Sequence, residues 1–162
     1  MAKIKALKET ELFKNLTDKE IAVISQVVTE KTMPKNTPLF VENMLGESLF
    51  IIKSGSVQVS KVIPGIGEQN LLVLGAGDFF GEMALLNGGA RMVSAKAVEE
   101  TELLIITRDD FKGLLDKEPA SCLKFLQGII TVFINRVRGS NELISEFIAW
   151  KSKSKGDRDI VT

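Results

Sequence analysis

Between Pro38 and Thr107 the chain is cut into short apolar or alternating runs, each closed by a glycine turn. No other feature of the sequence limits the fold as much. Leu49-Phe50-Ile51-Ile52 stops at Lys53-Ser54-Gly55. Ser56 to Val62 alternates apolar and polar residues, the period of a half-buried strand. Pro64-Gly65-Ile66-Gly67 is a turn, Leu71 to Leu74 a further run, and Gly75-Ala76-Gly77-Asp78 a second turn. Runs at Met92–Val98 and Thr101–Thr107 follow. Several short strands at regular spacing predict a sandwich or barrel rather than parallel βαβ units.

Helical patterns flank this region. Thr17-Asp18-Lys19-Glu20 has the spacing of a capping box, after which Ile21, Ile24 and Val27/Val28 recur at helical period. A short amphipathic segment from Ile4 to Leu12 precedes it, so residues 1–32 read as helices and 37–107 as the strand-rich body. Asp109 to Leu115 reads as one short helix. A longer helix begins at Pro119, a favoured first helical position. Its stripe runs through Cys122, Leu126, Ile129/Ile130, Phe133 and Val137 and on toward Trp150, with Gly139-Ser140-Asn141 as an end or a kink. Leu143, Ile144, Phe147, Ile148 and Trp150 form another apolar group, and the tail Lys151–Asp157 reads as polar and mobile.

Charge and residue usage restrict the chemistry. Lys+Arg and Asp+Glu each number 21, for a formal net charge of zero, which argues against a general nucleic-acid binder. There is one cysteine, Cys122, and no histidine. A lone thiol closes no internal disulfide, which suits a reducing, cytoplasmic compartment. The commonest general base and metal ligand is missing, no serine or cysteine lies in a nucleophile motif, and no metal site or enzymatic activity is expected. The N-terminus lacks the apolar core of a signal peptide, and no run reaches the roughly 18 apolar residues of a membrane span.

The segment Phe80–Ala97, FGEMALLNGGARMVSAKA, carries one acid, Glu82, and one guanidinium, Arg91, among small and apolar residues. Two readings fit: a strand–turn–strand corner with an incidental salt bridge, or a phosphate cradle. In the second, Gly77 and Gly81 permit tight turns or close backbone approach. Glu82 to Leu86 makes one helical turn, and Arg91 supplies a planar fork for phosphate oxygens. A carboxylate repels phosphate but accepts from sugar hydroxyls, so the set describes a phosphate joined to a ribose.

This segment closely resembles the phosphate-binding cassette of cyclic nucleotide-binding domains. The resemblance extends through LFKNLTDKEIAVISQVVTEKTMPKNTPLF, GESLFIIKSGSVQVSKV, LGAGDFFGE and TELLIITRDDFKGLLDKEP, roughly residues 12 to 137. It implies an α+β fold: an antiparallel, jelly-roll-like β-roll with N-terminal helices and a long C-terminal helix. Residues 1–138 would form the domain, with C-terminal helices over 108–138. Residues 139–162 would be a helical extension and polar tail without a DNA-binding domain, too few residues following Arg138 for a helix-turn-helix module.

The resemblance also implies roles. Glu82 would accept from the ribose 2′-hydroxyl, and Arg91 would pair with the exocyclic phosphate oxygens. Amides around Met83 and Ala84 would complete the nest, and Gly81 would let ligand lie against the backbone. Ser94 falls where many relatives carry threonine or serine. Val59, Leu71 and Leu74 match positions packed near base and sugar, and Thr131 and Asn135 could reach a purine edge from the long helix. Met92 stands where serine or threonine is frequent, and with Val93 it removes a hydroxyl and adds bulk. The ligand would be cAMP in preference to cGMP, and the partners a second copy joined through the C-terminal helix and an effector protein, with no nucleic acid and no membrane. The alternative is a degenerate domain that serves as a ligand-free interaction or dimerisation scaffold.

Overall fold

A computed structural model of the chain describes residues 2–156, with side chains through Lys151. The chain divides into two compact units, Met1–Gly128 and Ile129–Thr162. In the first, α1 (Ala2–Lys8) and a 3-10 turn (Glu11–Phe13) lead to α2 (Asp18–Ser25). The expected capping box is present: the Thr17 N–H donates to Glu20 Oε2 at 2.7 Å and the Glu20 N–H to Thr17 Oγ1 at 3.4 Å. The amphipathic segment expected over Ile4–Leu12 instead spans Ala2–Lys8, and Leu12 falls in the 3-10 turn.

Residues 29–32, read as helical, belong to β1 (Thr29–Met33). The helical period stops at Ser25, and the backbone of β1 pairs with that of the last strand, β8 (Thr101–Thr107), from Thr29↔Ile105 to Met33↔Thr101. Local pattern yields here to a long-range ladder. The other strands are β2 (Pro38–Phe40), β3 (Ser48–Ser54), β4 (Val57–Ile63), β5 (Gly67–Leu74), β6 (Phe79–Phe80), β7 (Ser94–Ala97) and β8 (Thr101–Thr107). They form two four-stranded sheets, β1-β8-β3-β6 and β2-β7-β4-β5, with every pairing antiparallel. The glycine-bounded runs thus fold into the expected β-roll. Its core gathers Met33, Ile52, Val57, Phe80, Ala95, Ala97 and Leu103, with Phe40, Phe50 and Leu74 packed against them.

One short helix, α3 (Glu82–Asn87), interrupts the roll between β6 and β7. After β8 come α4 (Arg108–Lys117) and α5 (Pro119–Gly156). The first turns of α5 are anchored to the N-terminal segment. Phe125 meets Phe13 and Phe111 at ring centroid distances of 5.3 and 5.6 Å. Lys124 Nζ donates to Glu20 Oε1 at 2.7 Å. A Cβ on Gly128 would lie 2.4 Å from the Leu12 carbonyl oxygen, so only glycine lets the two backbones meet.

The second unit is the remainder of α5. Its helix runs unbroken through Gly139-Ser140-Asn141, where an end or a kink was expected, and continues to Gly156. The polar tail is therefore helical through Gly156, and Asp157 lies outside the described residues. Ile130, Val137, Ile144, Phe147 and Trp150 are exposed. Pro119–Lys151 is long and apolar enough to cross a bilayer by length and composition, which the run-length reading of the sequence did not anticipate.

Candidate functional site

The loop geometry starts at Gly81. It enters α3 with φ +82°, and a Cβ there would meet Arg91 Nη1 and the Ser48 carbonyl oxygen at 2.7 Å each. Both the left-handed backbone and the crowding require glycine. Because Gly81 is the N-cap, no side chain caps the first amides of α3. The helix docks through Glu82, Ala84 and Leu85, which are buried, and leaves Met83 and Leu86 exposed. Glu82 is only 7% exposed, unusual for a carboxylate.

Arg91 follows the Gly88-Gly89 turn and is likewise 7% exposed. Its Nη1 and Nη2 both donate to the Ser48 carbonyl at 3.1 Å. The guanidinium carbon stands 4.1 Å from the Phe40 ring centroid and 5.5 Å from that of Phe50. Phe50 stacks on Phe80 and Phe40 meets it at a tilt, so the cation rests on an aromatic platform continuous with the core. Gly46 makes room: a Cβ there would fall 2.1 Å from Arg91 Nε. The backbone is fixed as well, with the Asn43 N–H donating to the Arg91 carbonyl and the Arg91 N–H to the Met44 carbonyl, both at 2.8 Å.

Two electrostatic facts stand out. Burial pushes the Arg91 guanidinium pKa down, and the charge of Glu82 pushes it back up. Arginine stays protonated through such shifts, so a full positive charge is held out of water. Its Nε is buried and has no hydrogen-bond partner. An unsatisfied buried donor costs about 1–3 kcal/mol.

The other expected residues are placed differently. Met92 is 59% exposed, and its carbonyl accepts from Lys61 Nζ at 2.9 Å. Ser94 Oγ accepts from the Glu42 N–H at 2.9 Å. Val59 is buried, and Leu74 packs against the roll core opposite Val57. Leu71 is 48% exposed at a register shift: Val59 pairs with Leu72 and Ser60 with Asn70, leaving Leu71 as the extra residue. Leu72, not Leu71, is therefore the cross-strand partner of Val59. Thr131 and Asn135 are exposed on α5, within the second unit. Sequence reasoning missed Gly46, the Ser48 carbonyl and the Phe40/Phe50 platform. Only the glycine preceding a strand was a visible signal among them.

Among the described residues no cluster of three or more His, Cys, Asp or Glu could hold a metal ion. Cys122 is buried, and burial pushes its thiol pKa up, the reverse of an activated nucleophile.

Two antiparallel four-stranded sheets, broken only by a short glycine-led helix that brings a buried acid and a buried arginine to one loop, define the class: a β-roll domain whose insertion holds its ionised side chains. Comparison with known proteins gives that class its family. Residues 30–118 match the model of the cyclic nucleotide-binding domain, and the chain belongs to this family. It is 36% identical over 113 residues to the cyclic AMP receptor protein of Thermus thermophilus, covering 70% of this chain and 52% of that protein. The crystal structure of Thermus thermophilus catabolite activator protein superposes with a TM-score of 0.75 at 30% identity, over 85% of this chain and 63% of the other. A cyclic nucleotide-binding domain from Methylobacillus flagellatus gives 0.79 at 27% identity, over 88% and 80%. The chain spans 52% and 59% of the first curated relatives it matches.

Proposed function

We propose that the Gly81–Ser94 segment binds a cyclic mononucleotide, cAMP in preference to cGMP, and that occupancy is coupled to the position of α5. The observation that carries this reading is the buried, unsatisfied Nε of Arg91 beside a glycine-led helix start. A charged donor kept dry, next to amides without a side-chain cap, matches an anionic acceptor of phosphate type. Arg91 takes the exocyclic phosphate, with the amides of Met83, Ala84 and Met92 beside it. Glu82 accepts from the ribose hydroxyl, close enough to Arg91 to support its charge and so held to the sugar side. Val59, Leu71 and Leu74 offer apolar contact, and Thr131 and Asn135 are the candidates from α5. The preference for cAMP is supported by the name of the Thermus relative.

The module acts without catalysis, in the cytoplasm, and with neither nucleic acid nor membrane as its own partner. It pairs with a second copy through α5, where Leu123, Ile130, Val137 and Ile144 repeat every seventh residue and are all exposed. An effector protein would read the position of α5, which ligand shifts only by its differential affinity for the two states. Isothermal calorimetry of the full chain with cAMP and with cGMP tests the proposal. Micromolar or tighter binding of one, lost in Arg91→Ala, is expected; no heat from either at high protein concentration defeats it.

A second reading, a ligand-free scaffold, has one observation in its favour. The guanidinium already has an acceptor in the Ser48 carbonyl and an aromatic seat. Under that reading the oligomeric state is the same with and without any nucleotide.

A further inference from the structure

The peptides that follow Arg91 are steered from outside their own segment. In a planar trans peptide the C=O and the next N–H point in opposite directions. The Asn43 N–H holds the Arg91 carbonyl at 2.8 Å, which aims the Met92 N–H away from the 43–44 loop. Lys61 Nζ holds the Met92 carbonyl at 2.9 Å, which aims the Val93 N–H away from Lys61.

Lys61 is itself fixed. Its Nζ also donates to Glu42 Oε1 at 2.8 Å, and Glu42 Oε2 accepts from the Val62 N–H at 3.1 Å. The Glu42 N–H closes the circuit on Ser94 Oγ at 2.9 Å. The Glu42 side chain is 13% exposed and that of Lys61 42%, so the carboxylate of the pair is shielded and its ammonium reaches solvent. Lys61, and after it the Val62 amide, hold the Glu42 carboxyl below its ordinary range. Strand β4, the end of β2 and the segment after Arg91 are thereby tied at both Met92 and Ser94.

We propose that Lys61 is a positioning residue of the cradle: paired with Glu42, it grips the Met92 carbonyl and so holds in place the backbone that follows Arg91, which carries the Met92 amide. The proposal rests on the cyclic-nucleotide reading above. Lys61 touches no ligand and acts through the backbone it orients. The Lys61–Glu42 pair sits on the surface side of the roll and is not needed for the core, so its loss should leave the fold intact.

The test compares Lys61→Met and Lys61→Arg with the wild-type full chain in two measurements. The first is amide hydrogen exchange without ligand. Lys61→Met is expected to speed exchange at the hydrogen-bonded amides of the tied segments, Glu42, Asn43 and Arg91, by about tenfold while leaving Leu49 and Leu104 in the core unchanged. The second is the calorimetric Kd for cAMP, expected to weaken by about tenfold in Lys61→Met and by less than about threefold in Lys61→Arg. Unchanged exchange at Glu42, Asn43 and Arg91 in Lys61→Met overturns the proposal, whatever happens to affinity. Faster exchange with unaltered cAMP affinity overturns it too. If the wild-type chain takes up no nucleotide, the cyclic-nucleotide reading fails on its own, and the exchange measurement still decides whether Lys61 orients the segment.

Discussion

Arg91→Met separates the sensor reading from the scaffold reading before any ligand is added. Suppose Arg91 exists to hold the fold together. Removing a partner from a buried charged network then costs about 3–5 kcal/mol. Suppose instead that it is kept for a ligand. The apo protein then loses the hydrogen bonds to the Ser48 carbonyl, about 1.5–3 kcal/mol for a charged donor. Against that loss, methionine removes an unpartnered buried Nε, a relief of about 1–3 kcal/mol, and lays an apolar chain on Phe40 and Phe50. The terms nearly cancel, and the expected change is within about 1 kcal/mol. For a chain of this length that is a Tm shift of no more than about 2–4 °C. Binding behaves differently. Two charge-assisted bonds to phosphate at about 1.5–3 kcal/mol each amount to a loss of at least a hundredfold in affinity. Thermal or chemical denaturation of the apo chain reads the first quantity, and calorimetry with cAMP reads the second. An apo destabilisation of 3 kcal/mol or more, about 6–12 °C, would refute the argument that Arg91 adds almost nothing to the stability of the apo chain and is kept for a ligand.

Three further outcomes are expected. Gly46→Ala drives a methyl into the place of Arg91 Nε, 2.1 Å from the ideal Cβ, so the guanidinium must leave its seat; calorimetry should show cAMP affinity falling as far as in Arg91→Met, and unaltered affinity would mean that the seat of Arg91 is unimportant. Glu20 is held at about 2 instead of its usual 4.5, first by the Lys124 hydrogen bond and then by the Thr17 amide. A depressed carboxyl pKa stabilises above the unfolded value and loses that stabilisation as pH falls. Melting curves of wild type and Glu20→Gln should therefore differ most at neutral pH and converge between about pH 4.5 and 2, and a gap that widens on acidification would contradict the pair. Ile144→Glu places a charge on the heptad stripe of α5, and light scattering should show a dimeric wild type becoming monomeric while its melting point holds.

The fold was legible because glycine turns and period-2 runs are local signals, and the capping box at Thr17 is a four-residue pattern with one geometric solution. Glu82 and Arg91 stood out for a related reason: each is the one acid or the one guanidinium of a small-residue segment, and both are buried, Glu82 in α3 and Arg91 after it. What escaped was whatever depends on two distant segments meeting. β1 reads as a helix until its partner β8 is known. Leu71 reads as the neighbour of Val59 until the register shift at Val59/Ser60 makes Leu72 its cross-strand partner, since alternation along one strand cannot reveal an extra residue opposite another. The shape of the cradle belongs to the same category. Its walls are a carbonyl at Ser48, the absence of a side chain at Gly46 and two rings from β2 and β3, none of which carries charge or a motif. Sequence therefore identifies the ions of such a site, and tertiary structure identifies what makes them costly to keep. That cost falls on Arg91, which is buried, denied an acceptor at Nε and crowded by two glycines that yield to it. A chain selected for stability alone has an apolar alternative at that position, so its retention of arginine there is the physical reason to expect an anion.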